Sequence, residues 1–300
     1  MNRTYRASLA AGASALALVA LSSVYAGPEW PEMGDAGSTI GGAQNPSGSG
    51  KNGRISGALT GSSPLTLGPG GPGDKDFQDL YVIYIKNVNC FRATLDPMLN
   101  GDADFDTQLF LFGNDGVGLL ANDEVFPGSG FSELTGESDD QTNFQLQRNG
   151  VYIIGISGFD SDPANPGGAI FDQMAPDEIS GPDGPGGLAA GGPGDLQFWS
   201  PPQGDTGTYS IVLDGVYFEQ EFQCRADCAP FDFTTCTVGN GEVNIDDLLA
   251  VINRFGMSGP GEPCDTVPVL PDGTYGNQMV NIDDLLFVIN SFGINCDNPV

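Results

Sequence analysis

The chain has 300 residues, 39 Asp and Glu against 10 Lys and Arg, and no His, for a formal net charge of −29. That balance argues against an electropositive groove for nucleic acid and against an anionic membrane surface, both of which need clustered Lys and Arg. Without His there is no His triad, His general base or His metal ligand, which leaves hard, oxygen-seeking cations as the favoured metals.

Residues 1–26 read as an export signal. Arg3 and Arg6 form a basic start, Ala7–Leu21 is apolar and small, and Val24-Tyr25-Ala26 supplies a cleavage site after Ala26. The apolar run is shorter than the ~20 residues a spanning helix needs, so membrane insertion is not expected. Cleavage removes two Arg and no acid, taking the net charge from −29 to −31. The expected location is secreted, periplasmic or cell-surface, an oxidising setting in which the six cysteines form disulfides.

Residues 27–222 carry short strand patterns bounded by turn residues: Leu80–Lys86, Phe91–Leu95, Thr107–Phe112, Phe144–Gln147, Val151–Ser157, Thr208–Leu213 and Val216–Phe222. No long helical period interrupts them. This predicts a mainly β fold, an antiparallel β-sandwich or jelly roll. Gly61–Asp74 and Gly167–Gly194 are so rich in Gly and Pro that they read as long surface loops. Trp30, Trp199 and Tyr217 are the aromatics with which a sugar-binding face would be built, although burial in the core is the commoner fate of such residues.

Residues 223–300 follow a different grammar. Ile245–Phe255 has apolar residues at helical spacing (Leu248, Leu249, Val251, Ile252, Phe255), and Ile282–Phe292 repeats the pattern 37 residues on. Each unit is an oxygen-rich loop, an amphipathic helix and a terminal glycine, Gly256 or Gly293. The two helices are expected to pack their stripes on each other. With Asp247 and Asp284 as the twelfth positions of calcium loops, Asn244 and Asn281 fall at position 9 and Asn240 and Asn277 at position 5. Positions 1 and 3 lack carboxylates, and Asp232 or Asp272 would have to supply the missing ligand. The same residues also suit plain helix capping, with Asn244 and Asn281 as N-caps.

The paired Val-Asn-Ile-Asp-Asp-Leu-Leu-x-Val-Ile-Asn-x-Phe-Gly units resemble bacterial dockerins, most of all the Cys-containing dockerin-like modules of secreted planctomycete proteins. The resemblance covers about Cys224–Val300. It implies an EF-hand-like helical pair that takes Ca2+ through Asn240, Asn244, Asp247, Asn277, Asn281 and Asp284 and docks on a cohesin-like or cell-surface partner through its helix faces. In the β part, Gly34-Asp35-Ala36-Gly37, Ile55–Leu59, Asp79–Ile85, Phe91–Leu95, Asp106–Phe112, Gly118–Glu124 and Gly150–Ser157 occur in the order found in the bacterial pre-peptidase C-terminal domain. That resemblance implies a non-catalytic β-sandwich accessory module, of a kind of which some bind calcium and some bind polymers. It makes Asp104, Asp106 and Asp123 the candidate metal ligands, with Asn122 among the matching positions. Asp102, Asp104 and Asp106 alternate, so they are expected on one side of the chain.

Cys224, Cys228, Cys236, Cys264 and Cys296 belong to the C-terminal part, whose thin core calls for staples, and Cys90 stands in the β part. An odd count of five implies one bridge to Cys90, with Cys224 the expected partner. No nucleophile elbow, P-loop or dinucleotide fingerprint occurs, and no catalytic residue is assigned. The expectation is an exported, non-catalytic protein attached through its C-terminal module. The alternative is a carbohydrate-binding accessory protein or weak glycoside hydrolase of a polysaccharide-degrading system.

Overall fold

The computed structural model describes residues 28–61 and 76–296. The leader and all but the first residue of Gly61–Asp74 lie outside them. In chain order the strands are β1 (Glu29–Pro31), β2 (Arg54–Leu59), β3 (Gln78–Ile85), β4 (Arg92–Thr94), β5 (Asp102–Ala103), β6 (Thr107–Gly113), β7 (Gly118–Asn122), β8 (Glu133–Thr135), β9 (Gly150–Gly158), β10 (Asp162–Asn165), β11 (Gly168–Ala169), β12 (Phe198–Ser200), β13 (Gly207–Asp214) and β14 (Val216–Tyr217). Helix α1 (Glu219–Gln223) leads into β15 (Phe231–Asp232), β16 (Thr237–Val238), α2 (Ile245–Arg254) and α3 (Ile282–Asn290).

One sheet runs β1-β2-β13-β4-β8, with β5 also on β13, and a second runs β14-β3-β9-β6-β7. Among these strands only β1 beside β2 is parallel. The sheets share a core: Ile55, Leu59, Ala93, Leu134, Tyr209 and Ile211 from the first meet Tyr81, Ile83, Leu109, Leu111, Ile154 and Ile156 from the second. The alternate residues of the second sheet, Leu80, Phe110, Phe112 and Ile153, are also buried, beneath Ile170, Phe171 and Trp199. A strand buried on both faces reads as a continuous apolar run, which is why Thr107–Phe112 and Val151–Ser157 show no alternation.

That second cover corrects the expectation of a surface loop at Gly167–Gly194. The segment carries β11, buries Ile170, Phe171 and Ser180, and folds back tightly on itself. A Cβ at Gly187 would lie 2.2 Å from the Pro182 carbonyl oxygen and 2.3 Å from that of Ile170. Glycine here permits close backbone approach and does not signal looseness. Phe144–Gln147 is no strand; only a single bridge, Glu137 to Gln145, forms there. Val216–Phe222 breaks after Tyr217 because α1 begins at Glu219.

Both predicted helices are present, and Gly256 and Gly293 follow them with φ of 84° and 86°, the left-handed region glycine favours. Their packing is partial. Val251 and Val288 are buried together with Leu248 and Leu285 alongside, but Leu249, Ile252 and Phe255 do not join them. The backbone ties the repeats reciprocally: Gly256 N–H donates to Val280 O and Val280 N–H to Met257 O, while Gly293 N–H donates to Val243 O and Val243 N–H to Ile294 O.

Three disulfides join Cys90 to Cys236, Cys224 to Cys296 and Cys228 to Cys264. The bridge between the two parts is thus made by Cys236 and not by Cys224. Cys224 pairs instead with Cys296 after α3, whereas Cys236 follows β15 and meets Cys90 at the end of the Val88–Cys90 turn. The parts also meet where Tyr84 and Tyr275 flank Phe222, and where Val238 N–H donates to the Tyr217 hydroxyl at 2.8 Å. No helix among the described residues is long and apolar enough to cross a membrane.

Candidate functional site

In the two C-terminal loops the predicted residues are placed at the helix starts. Asn244 and Asn281 are N-caps, their side-chain oxygens accepting from Asp246 N–H and Asp283 N–H at 2.7 Å each. Asn240 and Asn277 turn onto their own loops, accepting from Glu242 N–H and Met279 N–H at 3.1 Å each. Asp247 and Asp284 are fully buried. Asp247 Oδ1 accepts from the N–H groups of Cys228 and Ala229, and Oδ2 from that of Asn244. Asp284 does the same with Thr266, Val267 and Asn281. Asp272 accepts from Thr274 N–H and its hydroxyl, a local turn apart from the others.

A calcium ion needs six to eight oxygens with lone pairs directed at one point, at ~2.3–2.6 Å. Here the Asp247 and Asp284 oxygens face backbone N–H donors, and positions 1 and 3 of each loop bring no carboxylate, so the converging set of oxygens that the resemblance implies is not assembled.

The β part treats its carboxylates differently. Asp102 is exposed on β5, and Asp104 accepts from Thr208 N–H at 2.6 Å. Asp106 and Asp123 come together instead, each with an Oδ1 that is buried and has no hydrogen-bond partner. Burial, followed by the charges of Asp106, Glu124 and Asp162, pushes Asp123 up to about 7. Asn122 donates to the carbonyls of Glu124 and Glu178 and holds the turn. The Asp102, Asp104 and Asp106 side chains therefore do not form one row.

A second group escaped sequence reading. Glu32, Asp35 and Asp79 each bring a ligand oxygen to within 4.8 Å of the others. Glu32, just after β1, accepts from Ala36 N–H at 2.8 Å and Ala58 N–H at 3.1 Å. Asp79, at the start of β3, is fully buried; its Oδ2 accepts from the Tyr209 hydroxyl at 2.5 Å, and its Oδ1 has no partner. Tyr81 and Tyr209 share a hydroxyl–hydroxyl hydrogen bond behind it. Asp76 lies beside the group with its own unpartnered Oδ1. Burial, opposed by the two N–H donors and reinforced by Asp76 and Asp35, lifts Glu32 to about 7. Burial and the Glu32 charge lift Asp79 well above the usual carboxylate range. Such an arrangement calls either for protons or for a hard cation. The sequence signal that marked it is an acid at the start of an otherwise apolar strand, Gln78-Asp79-Leu80-Tyr81.

The outward sides of α2 and α3 form the third feature. Ile245, Leu249, Ile252 and Phe255 recur as Ile282, Leu286, Ile289 and Phe292, and all eight are between 47% and 54% exposed. Met257 and Ile294 extend the rows. Exposed Asp246, Asp283 and Glu242 stand beside them. Trp30, Trp199 and Tyr217 are all buried, so none offers a ring face to a sugar. No protein-family model and no curated protein matches the chain.

Proposed function

We propose that the chain is an exported, non-catalytic protein in which a β-sandwich body is attached to a partner protein through a dockerin-like C-terminal module. The observation that carries this reading is the doubled apolar stripe on α2 and α3, eight large side chains left half exposed on a chain with 39 acids. Contiguous exposed apolar surface rimmed by polar residues is the mark of a protein contact. The two short helices present anchors at i, i+4 and i+7, the spacing that seats a helix face in a groove. The acids at the rim select the occupant. A second copy would bring the same acids to the interface, so the fitting partner is a cohesin-like protein surface that is apolar at the centre and basic at the edge. The three disulfides accord with an oxidising compartment.

Calorimetric titration of the full chain against cohesin-type modules tests this. Binding that is lost in a Leu249→Asp/Leu286→Asp variant supports the reading. Binding that survives the double variant, or no binding by any such module, rejects it.

A second reading concerns the body. The unpartnered, buried Asp79 Oδ1 beside Glu32 and Asp35 favours a divalent, oxygen-seeking cation of the Ca2+ class there. It would tie the chain after β1 to the start of β3. Calcium binding to the full chain that disappears in Glu32→Gln and Asp79→Asn supports it; unchanged binding in both overturns it. For the carbohydrate-binding alternative, the three aromatics named from the sequence, Trp30, Trp199 and Tyr217, lie in the core and lend it no support.

A further inference from the structure

The C-terminal repeat is longer than its helix motif shows. Asp227-Cys228-Ala229-Pro230 recurs as Asp265-Thr266-Val267-Pro268, and Gly239-Asn240 recurs as Gly276-Asn277. Asp227 Oδ1 accepts from Asn240 N–H at 2.9 Å and Oδ2 from Gly241 N–H at 2.8 Å. Asp265 Oδ1 accepts from Asn277 N–H at 2.9 Å and Oδ2 from Gln278 N–H at 2.5 Å.

These bonds cross those of the helix-start aspartates. Asp227 holds the loop that precedes α2, while Asp247 at the start of α2 holds Cys228 N–H at 2.8 Å and Ala229 N–H at 2.9 Å, the two residues after Asp227. In the second repeat Asp265 holds the loop before α3, and Asp284 holds Thr266 N–H at 2.7 Å and Val267 N–H at 3.1 Å. The remaining oxygens, Asp247 Oδ2 and Asp284 Oδ2, take Asn244 N–H and Asn281 N–H. Every carboxylate oxygen of the four aspartates therefore accepts at least one backbone N–H.

We propose that each repeat is closed by this crossed pair of aspartates, Asp227 with Asp247 and Asp265 with Asp284, in place of a bound cation, so that the module and its outward apolar face are assembled without calcium. In a cation-bound loop the carboxylates converge on a positive ion. Here the partial positive charge of the N–H groups fills that role, as it does wherever a carboxylate takes several backbone donors. The loop backbone also packs closely on the outer aspartate of each pair. A Cβ at Gly239 would lie 2.4 Å from Asp227 Oδ2, and one at Gly276 would lie 2.4 Å from Asp265 Oδ2. Both glycines have positive φ, 86° and 90°, so the loop backbone wraps directly onto the carboxylate. The inference does not rest on docking; it concerns how the module holds its shape.

Site-resolved hydrogen exchange on the full chain tests it, because the bonds at issue are themselves amides. In chelator and in millimolar calcium, the amides of residues 228–229, 240–241, 266–267 and 277–278 should exchange at rates within about twofold of each other. Asp227→Asn should speed exchange at Asn240 and Gly241 by about tenfold or more, equally in both conditions, while the second repeat keeps its protection. Loss of protection in chelator with recovery in calcium overturns the proposal, as does rescue of Asp227→Asn by calcium. Should that variant not fold, the chelator comparison on the unaltered chain decides alone. Running the same comparison on Glu32→Gln removes any calcium effect that reaches these amides through the stability of the body, so the two sources are told apart.

Discussion

The two parts of the molecule bury the same side chain and supply it with donors to different degrees. In the β body, Asp76, Asp79, Asp106 and Asp123 each keep an oxygen that is buried and unpartnered. In the C-terminal repeats, Asp227, Asp247, Asp265 and Asp284 are also buried, yet every oxygen meets a backbone N–H. The difference is the local backbone. Strands of a sheet spend their N–H groups on neighbouring strands, so an acid at a strand end finds few donors. Loops before helices have N–H groups with no intrahelical partner, and a carboxylate placed there is satisfied. The two kinds of cluster differ in donor supply, while burial raises carboxyls in both, Asp227 and Asp265 to about 6 and Glu32 and Asp123 to about 7.

The largest expected effect comes from removing a staple. Asp284→Ala strands the N–H groups of Thr266, Val267 and Asn281 in a buried site. At about 1–3 kcal/mol for each unsatisfied donor, the loss should be ~3 kcal/mol or more, enough to unfold the module locally. Exchange of the α3 amides, read against those of β9, checks this. Little change in α3 protection would mean the staple is ornamental and the comparison wrong.

The next effect belongs to the body. Glu32 is lifted to about 7 and Asp79 is also raised, so the folded body binds protons that the unfolded chain releases at lower pH. The stability this gives is fully present below the unfolded carboxylate range and is lost as pH rises through about 7. In chelator, the melting temperature should therefore fall between pH 5 and pH 8, conditions chosen to bracket about 7. Glu32→Gln and Asp79→Asn should reduce that slope, and saturating calcium should flatten it by displacing the protons. A slope that ignores both variants and calcium would show that Asp79 Oδ1 is simply tolerated.

Much of the frame was legible in the sequence. The long strands and both helices fall close to where period and turn residues put them, because those signals are local. What was illegible is non-local. Glu32 and Asp79 are 47 positions apart and meet only because the chain after β1 passes the start of β3. Asp227 looks like a linker residue until its counterpart Asp265 is noticed, and the shared Asp-x-x-Pro is the signal that was available. Gly167–Gly194 was misread because glycine serves close packing as readily as looseness, and composition alone does not distinguish the two. The Cys90 partner is a non-local matter too: nearness to the domain junction in sequence favours Cys224, whereas the fold brings Cys236 there.

The smallest effect is the one that separates the module's two surfaces. Leu248 packs beside buried Val251, and its neighbour Leu249 points outward, half exposed; Leu285 and Leu286 repeat the pair. Leu248→Ala should cost about 2 kcal/mol, the low end for leucine truncation, because the side chain is only partly covered. Leu249→Ala should stay within about 0.5 kcal/mol, as surface substitutions do. One residue along the same helix thus divides assembly from contact. If the stripe were instead covered by some part of this chain, Leu249→Ala and Leu286→Ala would destabilise as their inward neighbours do, and exchange in α2 and α3 would rise in step. Thermal melts and exchange of all four single variants make that distinction. Silence at Leu249 and Leu286 leaves their apolar area free for another protein, and a measured cost there removes the stripe as a docking surface.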